Sequence, residues 1–261
     1  MLTSLQNEQV KAAIRLQDRR ERDETGLFLI EGYRELSRAV KGGVVIDKLF
    51  TCPELFLGEN ERALIMACEA KVLPCSEAVF RKLSYRDRPD GLLAIGVQMK
   101  RALASLPCKD DALFLVAESI EKPGNLGSIL RSADGVGADG VIVCDRCTDI
   151  YNPNVVRASV GTLFTLPVVE ADGSEAFNWL KEHGVKVVAA TPAAKEEFTD
   201  ADLRGKIAIV VGTEQLGLTD LWMKAADIQV RIPMRGVADS LNVSTAATLL
   251  LYEVLRQRYG P

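Results

Sequence analysis

Near its C-terminus the chain reads IPMRGVADSLNVSTAATLLLYEVLRQR, with Asp239, Ser240, Asn242 and Ser244 crowding the entrance of an amphipathic helix. One polar residue is enough to cap a helix, so the surplus hydroxyl, amide and carboxylate groups are candidates for holding a substrate. Two other segments share this character. AESIEKPGNLGSILRSADG breaks at Pro123-Gly124-Asn125 after an apolar run, then continues as a helix carrying Ser128, Arg131 and Ser132. IAIVVGTEQLGLTDLW ends an apolar run in Gly212-Thr213-Glu214 and reaches Gly217. Glycines at such a point let backbone approach a ligand closely. An arginine can pair with a phosphate or with developing negative charge. Asparagine and serine can bond a hydroxyl, and Glu214 can orient a partner or accept a proton. The plain alternatives are a cap, a surface arginine and a turn.

The rest of the composition narrows the chemistry. The single histidine, His183 in WLKEHGVKVV, sits at a predicted helix end. That argues against serine–histidine hydrolysis, multi-histidine zinc and facial-triad iron, and no metal site is expected. The six cysteines are scattered, and the pair Cys144–Cys147 lacks a second pair. It reads as a strand end rather than a redox or zinc motif. Gly135-Val-Gly137-Ala-Asp-Gly140 matches a dinucleotide fingerprint, but a helix precedes it and a strand follows. This reverses the order that the fingerprint requires and predicts a helix-to-strand turn.

A formal net charge of -4 excludes wholesale polyanion binding while leaving room for a local basic surface. FRKLSYRDRPDG supplies one candidate: Arg81, Lys82, Arg86 and Arg88, with Tyr85 able to stack on a base. A solvated loop is the other reading. RLQDRRERDE carries both signs and reads as a salt-bridged helix face. No segment has signal-peptide character, and none approaches the roughly 18–20 apolar residues that span a bilayer. A soluble, cytoplasmic protein without a membrane partner is expected.

These groups need elements to position them. Residues 1–98 alternate helical patterns with short strands, predicting a small α/β domain; QMKRALASLPCKDDA, with Pro107, predicts a linker over 99–110. Residues 111–261 repeat apolar runs of strand length (LFLVA, VIVC, LPVV, VKVVAAT, IAIVVG, IQVRIP), as buried parallel strands do.

Taken in order, NLGSILRSA, GTEQLGL and IPMRGVADSLNVSTAA resemble the three motifs of the SpoU/TrmH family of RNA ribose 2′-O-methyltransferases, within the SPOUT superfamily. The resemblance spans about residues 111–258. ERDETGLFLIEGYRELSRAV is similar to the RNA substrate-binding domain often fused ahead of it. Thr213 departs from the asparagine of many relatives. The resemblance implies a parallel-sheet domain with a deep trefoil knot, S-adenosylmethionine as cofactor and a homodimer through the catalytic domain. It implies methylation of a ribose 2′-hydroxyl in structured RNA, ribosomal first. The alternatives are transfer RNA, or a non-catalytic knotted RNA-binding or ribosome-assembly protein. By the same resemblance Asn125, Arg131, Glu214, Ser240 and Asn242 are catalytic. Thr191, Gly212, Glu214, Gly217, Ile232, Met234, Leu241 and Asn242 hold the cofactor, and Ser244 caps the helix.

Overall fold

Short β-branched runs bounded by glycine, proline and aspartate set the elements of this computed structural model, which describes all residues except Arg146, Glu214 and Pro261. In chain order they are α1 (Glu8–Arg15), α2 (Arg19–Thr25), β1 (Leu27–Glu31), α3 (Tyr33–Lys41), β2 (Ile46–Thr51), α4 (Glu61–Ala67), β3 (Lys71–Pro74), α5 (Glu77–Leu83) and β4 (Leu92–Val97). Then come β5 (Leu113–Glu118), α6 (Pro123–Gly135), β6 (Gly140–Cys144), α7 (Pro153–Ala158), β7 (Val168–Ala171), α8 (Gly173–Glu182) and β8 (Lys186–Ala190). β9 (Glu196–Glu197), β10 (Ile207–Val211), α9 (Asp220–Ala225), β11 (Ile228–Arg231) and α10 (Val243–Tyr259) complete the chain. They form two compact units. One is Met1–Met99 with Asp149–Thr165; the other is Lys100–Thr148 with Leu166–Pro261.

The first unit is a sheet in the order β1-β4-β2-β3, with β4 antiparallel to β1 and β2 and β3 parallel to β2. Leu29, Phe50, Phe80 and Leu93 form its core with Val10 and Ala13 of α1. The stretch read as one charged helix is two. Leu16 turns into the core, and Asp18 caps α2 by accepting from the Arg20 N–H at 2.7 Å. The solvent face carries the expected pairs, Arg15–Glu21, Arg19–Asp23 and Arg20–Glu24. Arg22 does not belong to that face. It is 1% exposed, donates to Asp149 at 2.7 Å and satisfies the carbonyls of Leu16 and Gln17.

Asp149 opens a segment that returns from the middle of the chain. Its Tyr151 and Phe164 rings pack on Phe28, with centroids 4.6 and 5.6 Å away. The Tyr151 hydroxyl donates to the Met99 carbonyl at 2.6 Å and accepts from its N–H at 2.8 Å. A linear division at 98–110 therefore misses the return of residues 149–165. Nor is 99–110 a free linker: Leu106 is buried in the second unit's core, and Arg101 donates to the Leu166 carbonyl.

The second unit has the order β7-β6-β5-β10-β8-β11-β9, with every neighbouring pair parallel. This is the α/β parallel class expected; only the edge strand β9, which has no apolar run, was not legible. Trp179 and Leu180 of α8 and Trp222 of α9 pack on Phe114, Val116, Val187 and Val210. The alternate residues Leu115, Val188 and Ile209 are fully buried too, as strands covered on both faces must be. α10 packs on β10 and α6, where the Ser132 and Thr248 hydroxyls meet at 2.7 Å.

The reversed glycine motif is a helix-to-strand turn: α6 ends at Gly135, Gly137 has φ +69°, and β6 begins at Gly140. His183 ends α8, stacked on Trp179 at 4.3 Å between centroids. Cys144 is a free thiol at the end of β6, and burial pushes its pKa well above the ordinary value. No helix of the described residues is long and apolar enough to cross a membrane.

The returning segment yields a test. A fragment beginning at Lys109 retains residues 149–165 but strips Tyr151, Val155, Val156 and Phe164 of the partners that bury them. It is expected to aggregate or melt well below the full chain in a thermal scan. The same fragment with a short polar loop in place of 149–165 should be the more soluble of the two.

Candidate functional site

A sheet whose strands all run one way gathers their carboxyl ends on one edge, where open α/β sheets bind ligands. Ala190 of β8, Val211 of β10 and Val230 of β11 meet there and floor a cleft of about 370 Å³. Its walls are Thr191–Ala193 after β8, the turn after β10, the extended Ile232 and Met234 after β11, and Asp239–Leu241 leading into α10.

The turn after β10 closes on itself. Thr213 and Gly217 exchange N–H···O bonds, both 3.1 Å, and the Thr213 hydroxyl accepts from the Leu216 N–H at 2.9 Å. A Cβ on Gly212 would lie 2.3 Å from the Gly217 carbonyl oxygen, and Gly217 itself has φ +69°. Both glycines therefore serve the closure of the turn. The backbone that Gly212 admits closely is that of Gly217.

The crowded helix entrance resolves into separate tasks. Asn242, not Ser244, caps α10, because its Oδ1 accepts from the Ser244 N–H at 3.0 Å and from the Ser244 hydroxyl at 2.6 Å. Its Nδ2 donates to Oδ1 of Asn125 at 3.1 Å, joining the third segment to the first. Asp239 and Ser240 face the cleft with Leu241. A second cavity of about 40 Å³ holds Asn125 and Lys122, and shares Thr213, Gln215 and Val243 with the large cleft.

Of the residues expected at the site, Thr191, Gly212, Gly217, Ile232, Met234, Ser240 and Leu241 line the cleft. Asn125 lies in the adjoining cavity, and Asn242 bridges to it from the cap. Arg131 lines neither space and is exposed on α6. Glu214 lies outside the described residues. Asp239, Gln215 and Leu216 were not assigned from sequence. Asp239 is the one ionisable side chain among the described residues lining the cleft. Its position inside the polar cluster was the available signal.

The basic stretch of the first unit is arranged differently from its expectation. Arg81 pairs with Glu77 at 2.7 Å, while Lys82 and Arg88 are exposed. Tyr85 packs on the core with its hydroxyl buried and unbonded among the described residues, and burial raises its pKa. Arg86 pairs with buried Glu35 at 2.8 Å and donates to the Glu31 carbonyl. The buried Glu31 carboxylate accepts from the Ser84 hydroxyl and from the Tyr85 N–H, the latter at 3.1 Å. Gly32, at φ +109°, leaves the room that Arg86 fills: a Cβ there would lie 2.6 Å from its guanidinium. Tyr85 and Arg86 thus fasten the loop to the end of β1 and are not presented for stacking or phosphate contact.

With this geometry in place, the comparisons with known proteins agree. Residues 112–252 match the SpoU rRNA Methylase family, and residues 7–94 match the MRM3-like substrate binding domain. The chain is 32% identical to the 23S rRNA (uridine(2479)-2′-O)-methyltransferase of Streptomyces viridochromogenes, over 93% of this chain and 87% of that protein. It is 27% identical to the 23S rRNA (guanosine(2553)-2′-O)-methyltransferase RlmP of Bacillus subtilis, over 97% and 98%. Among solved structures, an RNA 2′-O ribose methyltransferase is 46% identical, with a TM-score of 0.88 and 98% of each chain covered. AviRb of S. viridochromogenes, solved with AdoMet, is 30% identical, with a TM-score of 0.89 over 97% of this chain and 98% of that one. The sheet, the three converging segments and these likenesses together establish that the chain belongs to the SpoU rRNA methylase family.

Proposed function

We propose that this chain methylates a ribose 2′-hydroxyl of ribosomal RNA with S-adenosylmethionine. The observation that carries the reading is the Asn242–Asn125 hydrogen bond at 3.1 Å, which brings the third segment against the first beside a ligand-sized cleft. The names of the relatives, which act on 23S rRNA, support the substrate.

The cleft fits the cofactor. Its volume lies in the range of small-ligand sites, roughly 300–1,000 Å³. Ile232, Met234, Leu241 and Leu216, the last 89% exposed, offer apolar surface to an adenine ring and a thioether chain. Asp239 complements a molecule bearing sulfonium and ammonium charge. When bound, the cofactor supplies an electrophilic methyl group.

The residues of the chain must then place and activate a poor nucleophile. A ribose hydroxyl needs in-line alignment and relief of the negative charge that develops on its oxygen. Asn125, held by Asn242, presents a fixed amide, and Ser240 adds a hydroxyl at the cleft. The guanidinium of Arg131 offers donors in a planar fork and no acceptor. Its role is to hold the phosphate of the target nucleotide and stabilise the emerging alkoxide, which its exposure on α6 permits. Glu214 orients a partner or accepts the proton. Lys82 and Arg88, with Arg81, supply phosphate contacts from the first unit.

Three finer features belong to the same reading. The C-terminal segment is threaded as a deep trefoil knot, supported by the insertion of β10 between β5 and β8. The protein is a homodimer through α10, where Leu249 is 40% and Tyr252 50% exposed while Leu250, Leu251 and Val254 are buried. Its place is the cytoplasm, in keeping with six free cysteines.

Calorimetry with S-adenosylmethionine and with NAD, followed by nucleoside mass mapping of rRNA from a deletion strain, tests the whole. Cofactor binding and one missing 2′-O-methyl nucleotide are expected; an unchanged rRNA map would favour tRNA modification or a non-catalytic role. Leu241→Arg is expected to abolish S-adenosylmethionine binding by intruding on the cleft, with little change in melting temperature. Arg131→Ala should leave cofactor affinity nearly unchanged and lower single-turnover methyl transfer about 10²–10³-fold, the typical loss for one well-placed charged contact. Sedimentation equilibrium at micromolar concentration should show a dimer, and Tyr252→Glu should shift it to monomer.

A further inference from the structure

Glu118 is the last residue of β5 and is 1% exposed. Its two carboxylate oxygens are both taken by one residue 101 positions away. Oε2 accepts from the Thr219 N–H at 2.9 Å, and Oε1 accepts from the Thr219 hydroxyl at 2.6 Å. Since β5 lies beside β10, the carboxylate reaches across the end of the neighbouring strand to the far end of the loop that β10 feeds.

Stability alone gives a poor account of this pair. Thr219 is the N-cap residue of α9, yet its side chain makes no capping bond to the helix. A threonine cap is typically worth about 1 kcal/mol, and that contribution is forgone. A buried carboxylate is costly unless its oxygens are well bonded. What the arrangement does provide is position. Thr219 terminates the loop that starts at Gly212, and Thr213 and Gln215 of that loop line both the large cleft and the Asn125 cavity. On the other side of Glu118, Ser119 takes a left-handed φ of +51° and donates its N–H to the Cys144 carbonyl at 2.9 Å. That corner launches the Ile120–Asn125 stretch.

We infer that Glu118 is a positioning residue: through Thr219 it sets the spacing between the Asn125 loop and the cofactor-side turn, and so holds the cleft in its binding shape. The inference rests on the cofactor reading above. Its test uses the full chain and calorimetric titration with S-adenosylmethionine. Glu118→Leu removes both acceptor oxygens from Thr219, and Thr219→Val removes the hydroxyl. Each should weaken binding about tenfold, as losing a hydrogen bond to a charged group does. The double variant should be little worse than either single, because the two act as one unit. Thr219→Ser keeps both donors and should restore affinity to within about twofold of wild type. Hydrogen exchange should quicken at the 213–219 amides in Thr219→Val while β5 stays protected. Folded Glu118→Leu or Thr219→Val with wild-type affinity overturns the clamp. So does a loss in Thr219→Ser equal to that in Thr219→Val, or failure of both Glu118→Leu and Thr219→Val to fold. A wild-type chain that does not bind S-adenosylmethionine overturns the cofactor assignment instead.

Discussion

When seven strands run in one direction and both faces of their sheet are covered, polar chemistry has one place to go. Leu115, Val188 and Ile209 are sealed on one face, and Phe114, Val116 and Val210 on the other. A carboxylate or amide placed mid-strand would be desolvated without a partner. The carboxyl ends escape this constraint because the backbone turns outward there. Much of the lining of the cleft and of the cavity beside it follows from this: Thr191 just beyond β8, the 212–217 turn beyond β10, Ile232 beyond β11, and Asn125 in the first turn of α6 after β5. The same edge explains why residues more than a hundred positions apart in sequence share one hydrogen bond.

Much of this was legible because local patterns and the final fold agree. The valine- and isoleucine-rich runs read as buried strands, and the order of helix, glycines and strand ruled out a dinucleotide loop. Parts of the second and third motif segments line the cleft, and Asn125 of the first lies in the cavity beside it. What failed was long-range pairing. Arg22 sits in a run of charges that otherwise face solvent, and nothing local says that Asp149 will arrive to bury it. Arg86 and Tyr85 look like an RNA clamp until Glu31 and Glu35 are placed beneath them. A trace of that was readable: two carboxylates in the apolar setting of LIEGYREL need a buried cation. Ser244 was read as the cap, and Asn242 takes that place because its Oδ1 accepts from the Ser244 N–H.

The site also divides its labour by charge. The cleft is apolar and carries Asp239, whereas the cation assigned to the RNA, Arg131, stands outside it on α6. Keeping the guanidinium out of the cleft avoids repulsion with a cationic cofactor and leaves the arginine open to a polyanion. Under the proposed roles, cofactor affinity and RNA affinity are expected to respond to different substitutions.

The return of residues 149–165 has a consequence for synthesis on the ribosome. A domain at the N-terminus ordinarily folds as soon as it has emerged. Here the first unit lacks Asp149, Tyr151 and Phe164, and with them the partner of buried Arg22, until the chain has been made through residue 165. When that segment emerges, β5 and β6 of the second unit, which precede it, are already outside, waiting for β10. The two units must mature in an interleaved order, each holding an unfinished surface while the other's strands are delivered.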